Sequence, residues 1–193
     1  MSINFPDMKN IIVVTPTEKE STFFLEHGIL VYHCGVGMAE CAAATAKLII
    51  ENKPDLMILA GIAGAYSDNI EIGETVVVES EVIADLGRLD GRAFTELYQK
   101  TYMAPVTVPG YRSAKSNTTS CAGAMISQPV QADIENMEGA AFFAMCDRFA
   151  VPALEVRTVS NKVGFPIGGK NMIIATNRLA LELEKILALM AEK

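Results

Sequence analysis

The chain has 193 residues, half of them hydrophobic and a fifth charged, which is enough for one domain with a full core and too apolar for a disordered chain. Its 23 Asp and Glu outnumber 16 Lys and Arg, and the net charge of −7 makes nucleic acid and anionic membranes poor partners. The four cysteines contain no C-x-x-C pair and only two histidines are present, so a zinc site is not expected. We expect a single domain over residues 1–193 that uses no metal and no cofactor.

The amino-terminal residues are polar and lack the apolar core of a signal peptide. No apolar stretch reaches the ~18–20 residues that a membrane span needs. We therefore expect a cytoplasmic protein with reduced thiols, no membrane partner and a small-molecule substrate.

Short β-branched runs alternate with helical patterns in the first half of the chain. Buried strands are predicted at 11–14, 29–32, 56–60 and 75–78, the last with an extension toward Ile83. Helices are predicted at 18–26, which ends at Gly28, and at 38–52. This strand–helix–strand order predicts an α/β fold with a largely parallel sheet.

The second half has a weaker pattern before it becomes regular again. Residues 85–120 are interpreted as loops with one or two strands around 104–108. A helix is predicted from Met137 to about Phe149, followed by a strand at 152–160 and a loop at 164–169. An amphipathic helix at 171–191 closes the chain.

Two glycine pairs stand at the ends of predicted strands. Gly35-Val36-Gly37 precedes a helix and can present backbone N–H groups to a phosphate or ribose, although Glu40 stands where a dinucleotide fingerprint needs a third glycine. Gly61-Ile62-Ala63-Gly64 ends a buried strand, where ligands bind in open α/β sheets. Either segment can also serve only as a tightly packed turn.

The most informative acid is Glu138, which begins an otherwise apolar helix. Its carboxylate can accept two hydrogen bonds from a sugar diol, or it can simply favour the helix dipole. Met137 beside it offers a flat and adaptable apolar surface.

Three further polar positions follow predicted strands. Asn161, after Ser160, can bond a ring nitrogen and an exocyclic group together, or it can form a turn. Glu18 and Glu20 follow the first strand, where an isolated acid is by default solvated. Because the carboxyl ends of parallel strands meet at one edge of a sheet, we expect these residues and Glu138 to share one crevice.

Taken in chain order, these segments resemble the nucleoside phosphorylase and nucleosidase superfamily. The resemblance lies in the segments at 15–20, 35–38, 60–65, 137–141 and 159–161, of which Met137-Glu138-Gly139-Ala140-Ala141 is the most specific. It implies a three-layer α/β/α fold of the phosphorylase/hydrolase type with a central mixed, largely parallel sheet. It also implies a homodimer.

Within this superfamily the chain is similar to the futalosine hydrolases. The similarity lies in residues 83–87, in Asp90-Gly91 and Phe94, and in Asn161, where adenosine-type nucleosidases carry Asp. It implies hydrolysis of the N-glycosidic bond of futalosine or aminodeoxyfutalosine, which releases hypoxanthine or adenine, in menaquinone biosynthesis; futalosine leaves dehypoxanthine futalosine. Two alternatives stay open: a methylthioadenosine/S-adenosylhomocysteine nucleosidase, and a nucleoside-binding relative without catalysis.

The resemblance also implies roles for individual residues. Glu20, rather than Glu18, would deprotonate water, Glu138 would hold the ribose hydroxyls, and Asn161 would donate a hydrogen bond to purine N7. The expected substrate contacts are Gly35, Gly37, Ile62, Ala63, Gly64, Met137 and Ser160.

Water is the expected nucleophile. Phosphorylases hold phosphate with cationic groups, usually Arg, and this chain has no Arg before Arg88. The benzoate carboxylate of futalosine should meet Arg88, Arg92 or Arg112. The segment between Tyr111 and Asn136, which includes an expected base-stacking wall at 121–125, is short, so the base pocket is expected to be open or completed by a second subunit.

Overall fold

The computed structural model describes residues 9–86, 100–121 and 131–191. Within these ranges the helices and strands are β1 (Ile11–Thr15), β2 (Val31–His33), α1 (Met38–Asn52), β3 (Leu56–Ala65), β4 (Thr75–Ile83), β5 (Thr101–Met103), β6 (Arg112–Thr118), β7 (Ile134–Asn136), α2 (Gly139–Arg148), β8 (Ala153–Lys162) and α3 (Gly169–Ala191). No helix in these ranges is long and apolar enough to cross a membrane.

The strands form one mixed sheet. Strands β1 and β8 pair with β3 in parallel, and β6 pairs in parallel with both β4 and β7. Antiparallel pairings of β4 with β8 and of β3 with β7 join these two groups, so that β3, β8, β4, β6 and β7 close into a ring. The prediction of an α/β fold around a mixed sheet is confirmed.

Buried apolar side chains form two clusters, one that includes α1 and α2 and one that includes α3. One contains Cys41 and Leu48 of α1 together with Phe142 and Phe143 of α2. The other contains the buried side of α3, including Leu179, Leu183 and Ile186, and the strand residues Leu154 and Val156. Alternate residues of β8 contribute to different clusters, as the two-residue period of a strand requires.

Two predicted elements are wrong. Residues 18–26 form consecutive turns and a 3₁₀ helix, Leu25–His27, because Ser21, Thr22 and Phe23 favour a helix little. The hydroxyls of Ser21 and Thr22 also bond the carbonyls of Glu18 and Lys19 and so compete with backbone donors. Gly28 does end this segment, in a left-handed conformation. Residues 104–108 lie in a loop, since Pro105 has no N–H for a ladder, and the two strands of this region are β5 and β6 on either side of it.

Candidate functional site

A cavity of about 250 Å³ opens beside the carboxyl ends of β3 and β8 and the amino terminus of α2. It is lined by Pro16, Glu20, Val36, Ile62, Ala63, Gly64, Thr119, Glu135, Asn136, Met137, Glu138, Ser160, Asn161, Phe165, Pro166 and Ile167. The expected convergence of Glu20, Glu138 and Asn161 is therefore present in the fold. The lining combines these polar groups with apolar surface, as small-molecule sites do.

Glu20 reaches the cavity from the turn after β1 and is buried. Its Oε2 accepts a hydrogen bond from the backbone N–H of Ile62 at 3.0 Å, and its Oε1 accepts one from Thr17 Oγ1 at 2.9 Å. Burial raises the pKa of Glu20, while the Ile62 N–H and the charge of Arg157 oppose the rise. Glu18, the other acid considered for this position, is exposed and lies outside the cavity.

Glu138 is buried and precedes α2, but its carboxylate does not cap its own helix. Oε1 accepts the N–H of Gly37 at 3.0 Å, and Oε2 lies 3.4 Å from Nη2 of Arg157. The Asn136 side chain caps the helix instead, since its Oδ1 accepts the N–H groups of Glu138 and Gly139. The carboxylate is thus free of the helix terminus and directed at the cavity.

Arg157, which the sequence did not single out, is the central cation behind the cavity. It is fully buried, and it donates from Nε to Glu155 at 2.7 Å, from Nη2 to Asn136 Oδ1 at 3.0 Å and from Nη1 to the Ile62 carbonyl at 3.2 Å. Although burial disfavours its charge, the carboxylates of Glu155 and Glu138 raise the pKa of Arg157. Two charged residues at alternate positions among Leu154, Val156 and Val159 were the sequence signal for this group.

Gly61 shows how tightly this guanidinium packs. A Cβ on Gly61 would collide with Arg157 Nη1 and would come within 2.9 Å of Glu20 Oε2. Only glycine at this position of β3 lets Arg157 and Glu20 approach the same stretch of backbone.

Asn161 lines the cavity with its amide held by the chain. Its Nδ2 donates to the backbone carbonyls of Lys162 at 3.0 Å and Phe165 at 3.2 Å, and its Oδ1 accepts from Ser160 Oγ at 2.9 Å. Both amide hydrogens therefore stabilise the loop that carries Phe165 over the cavity. Asn161 therefore both forms the turn after β8 and lines the cavity.

Two of the expected substrate contacts, Gly35 and Gly37, do not line the cavity. Both have positive φ, 79° and 87°, so a side chain at either position would be strained. Their turn places Val36 in the cavity wall and directs the Gly37 N–H at Glu138. The other expected contacts, Ile62, Ala63, Gly64, Met137 and Ser160, do line it.

The residues expected near the far end of the substrate are only partly described. Arg88, Arg92 and most of the expected base-stacking segment at 121–125 lie outside the described residues. Arg112 does not line the cavity; it donates to the Asn69 carbonyl at 2.6 Å and contacts Glu74 at 3.3 Å. Within the described ranges, no Lys or Arg contributes to the cavity lining.

A polar cluster at the cavity wall was not anticipated from the sequence: Glu135 lines the cavity, and Tyr66 and Asn117 lie behind it. Glu135 Oε2 accepts a hydrogen bond from Tyr66 Oη at 3.1 Å, and Asn117 Nδ2 donates to the same hydroxyl at 3.3 Å. Burial, together with the charge of Glu135, raises the pKa of Tyr66 to about 12, so the hydroxyl remains a donor at neutral pH.

Comparison with known proteins gives a consistent set of matches. A family model described as the phosphorylase superfamily matches residues 5–124. Futalosine hydrolase of Thermus thermophilus is 32% identical over a match that covers 71% of each chain. A 5'-methylthioadenosine/S-adenosylhomocysteine nucleosidase of Shewanella halifaxensis is 29% identical, with 69% of this chain and 68% of that protein covered.

Two solved structures with a similar fold are a 5'-methylthioadenosine nucleosidase and a futalosine hydrolase. An Arabidopsis thaliana 5'-methylthioadenosine nucleosidase matches with a TM-score of 0.82 at 18% identity, covering 96% of this chain and 97% of its own. Futalosine hydrolase of Helicobacter pylori matches with a TM-score of 0.76 at 15% identity, covering 95% and 97%.

Proposed function

The chain belongs to the phosphorylase superfamily, and we propose that it is a purine nucleosidase that hydrolyses the N-glycosidic bond of futalosine or aminodeoxyfutalosine. Its curated relatives include proteins named hydrolase and nucleosidase, which are N-glycosyl hydrolases, and the predicted enzyme class is confirmed by them. The observation that carries the proposal is the joint presence of Glu20, Glu138 and Asn161 in one cavity. The reaction would release hypoxanthine or adenine and contribute to menaquinone biosynthesis.

Glu138 is the proposed ribose clamp. Cleavage of an N-glycosidic bond passes through an oxocarbenium-like sugar, whose positive charge a nearby carboxylate stabilises. The Gly37 N–H bonds Oε1 of Glu138, and Arg157 contacts Oε2. The remaining lone pairs of the two oxygens can accept hydrogen bonds from the ribose hydroxyls. Met137 lies beside it in the lining and would pack against the sugar.

Glu20 is the proposed base that activates water. A carboxyl group whose pKa is raised toward neutrality by burial is a better base than an ordinary Glu, since an effective general base has a pKa near the working pH. Protonation of Glu20 at acid pH would remove this base. Activity is therefore expected to fall on the acid side at a higher pH than the pKa of an exposed Glu.

Asn161 is the proposed donor to the leaving purine. Both of its amide hydrogens are donated to the loop carbonyls of Lys162 and Phe165, so donation to N7 requires that the base displaces one of these bonds. An amide cannot transfer its proton as a carboxylic acid can, so leaving-group activation would be by hydrogen bonding alone.

Water is the proposed nucleophile rather than phosphate. The donors of Arg157 are directed at Glu155, Asn136, Glu138 and a backbone carbonyl, which leaves this buried cation committed to the protein. A phosphate dianion in the cavity would also face the carboxylates of Glu20 and Glu138 without a cation of its own among the described lining residues.

A methylthioadenosine/S-adenosylhomocysteine nucleosidase is the second candidate. It is favoured by relatives of that name at 29% identity, a value close to that of the futalosine hydrolases. Asn136 and Asn161 are evidence against it, because the resemblance implies Glu and Asp at the corresponding positions of that enzyme.

A substrate panel tests the proposal. The protein is incubated separately with futalosine, aminodeoxyfutalosine, methylthioadenosine and inosine, with and without phosphate, and the released base is identified by mass spectrometry. Phosphate-independent release from a futalosine-type substrate is expected. Absence of release from both of them, or release that requires phosphate, contradicts the proposal, and binding without release identifies a nucleoside-binding relative.

We also propose a three-layer, single-domain subunit that assembles as a homodimer. The layers are supported by the two apolar clusters, one with α1 and α2 and one with α3. The dimer is supported by exposed apolar side chains at the cavity, among them Val36, Phe165 and Ile167. Sedimentation measurements are expected to give the mass of a dimer, and the mass of a monomer would contradict the proposed assembly.

A further inference from the structure

Two carboxyl groups lie close together behind the cavity, and neither has a role in the proposed reaction. Glu81 of β4 and Glu155 of β8 are both fully buried, and neither lines the cavity. A Cβ on Gly139 would collide with Glu81 Oε1 and come within 2.7 Å of Glu155 Oε2. The first residue of α2 is thus the point at which the two carboxyl groups converge, and a side chain there would separate them.

The hydrogen bonds around this pair leave one oxygen without a donor. Glu81 accepts from Thr118 Oγ1 at 2.7 Å through Oε2 and from Asn136 Nδ2 through Oε1. Glu155 Oε1 accepts from Arg157 Nε at 2.7 Å. Glu155 Oε2 is buried and has no hydrogen-bond donor among the described residues.

Two ionised carboxylates cannot lie side by side out of water without a large repulsion. One proton held between them removes the repulsion and supplies the missing donor. A cation could do the same, but the described ranges contain no group of three His, Cys, Asp or Glu able to hold a metal ion.

We propose that Glu81 and Glu155 share one proton, and that this pair positions the ribose-binding Glu138 through Arg157 and Asn136. The proton resides on Glu81, because Arg157 stabilises the ionised form of Glu155 while Glu81 has only neutral donors. The proposal rests on the function proposed above, since Glu138 is given its role there.

The charges around the pair support this assignment. Burial and the charge of Glu155 raise the pKa of Glu81 well above its ordinary value. The neighbours on β6 and β7 are the neutral side chains of Ser116, Thr118 and Asn136. The charged or titratable groups that face the pair are Arg157 on β8, Glu138 at the start of α2 and Tyr66 after β3.

The pair is connected to the site by a closed chain of contacts. Arg157 joins Glu155 to Glu138, and Asn136 joins Glu81 to the backbone N–H of Glu138. Loss of the shared proton would add the negative charge of Glu81 to that of Glu155 on one side of Arg157 and draw the guanidinium away from Glu138. The pair therefore sets the alkaline limit of catalysis, although it touches no substrate.

The test is the pH profile of kcat/KM in Glu81→Gln, with Glu79→Gln on the same strand as the control. Gln presents an N–H to Glu155 in place of the shared proton, but its amide nitrogen cannot accept the hydrogen bond from Asn136 Nδ2. Activity near neutral pH is therefore expected to fall by no more than about tenfold. The wild-type kcat/KM is expected to decline at alkaline pH, and this decline is expected to disappear in Glu81→Gln. A wild type without the decline contradicts the proposal. Glu155→Gln, which removes the anion beside Arg157, is expected to lower kcat at least about tenfold. An unchanged alkaline decline in a folded Glu81→Gln overturns the proposal.

Infrared spectroscopy tests the proton without any substrate. At neutral pH the wild type is expected to show the C=O stretch of a protonated carboxylic acid, which is lost in Glu81→Gln and retained in Glu79→Gln. A wild-type spectrum without this band overturns the proposal even if the variant does not fold. Because this measurement does not depend on turnover, a protein that hydrolyses no nucleoside refutes the proposed function and leaves the shared proton to be decided.

Discussion

The two sides of strand β8 differ in what they bury. On one side, Leu154 and Val156 pack with α3 in a wholly apolar cluster. On the other, Glu155 and Arg157 alternate with them and meet Glu81, Glu138 and α2. The apolar side stabilises the fold, whereas the charged side fixes the direction of the carboxylate that faces the cavity. Substitutions on the two sides should therefore separate stability from activity.

The largest effect is expected from Glu138→Gln. Loss of the negative charge that stabilises the oxocarbenium-like sugar should lower kcat by about 10³-fold, or about 4 kcal/mol of transition-state stabilisation, with the fold intact. Steady-state kinetics and circular dichroism measure the two quantities. A near-normal kcat shows that Glu138 is not the ribose clamp.

Glu20→Gln should have the next largest effect. An amide cannot accept a proton from water, so kcat should fall by at least about 10²-fold. Glu18→Gln, two residues away and exposed, is the matched control and should behave as the wild type. Equal losses in the two variants, or none in Glu20→Gln, contradict the assignment of the base.

On the apolar side, Leu154→Ala should reduce stability rather than catalysis. Truncation of this fully buried side chain should lower the free energy of unfolding by about 2–5 kcal/mol, with kcat of the folded fraction unchanged. Leu189→Ala, at a half-exposed position of α3, should change the free energy of unfolding by less than about 0.5 kcal/mol. Chemical denaturation measures both, and a large loss of kcat in folded Leu154→Ala would mean that the two sides are not separable.

The smallest effect, taken per pH unit, is a change in the pH dependence of stability. Because burial raises the pKa of Glu81, the folded state keeps a proton that the unfolded state has lost. That stabilising contribution is complete below the unfolded pKa, and it decreases as pH rises toward the folded pKa by up to about 1.4 kcal/mol per pH unit. Glu81→Gln should therefore gain stability relative to the wild type as pH rises in urea denaturation. A constant difference across this range shows that Glu81 does not keep a proton in the folded state.

Much of the fold was predictable because burial leaves a local pattern. The β-branched and small-residue runs of β1, β3 and β8, and the amphipathic pattern of α3, fix their elements without knowledge of distant partners. The prediction of a helix at 18–26 is wrong because the local signals, a capping segment before it and Gly28 after it, mark its two ends and not the kind of turn between them. Nor does anything local indicate that Glu20 bonds the N–H of Ile62, 42 residues away.

The site was predictable where it follows strand ends, and not where it depends on pairing across the sheet. Glu138, Met137 and Asn161 could be placed by their motifs and positions. Arg157 reaches Glu138 and Asn136 only because β3, β7 and β8 are neighbours in the sheet. Sequence periodicity identifies the face of a strand but not the side chain opposite it.

The most direct test of the account is the relative kcat/KM for futalosine, aminodeoxyfutalosine and methylthioadenosine in phosphate-free buffer, measured from the base released. We predict that at least one of the two futalosine-type nucleosides is hydrolysed about tenfold or more efficiently than methylthioadenosine, and that Glu138→Gln lowers this rate by about 10³-fold. Methylthioadenosine as the better substrate, or no release of base from any of the three, would contradict the account.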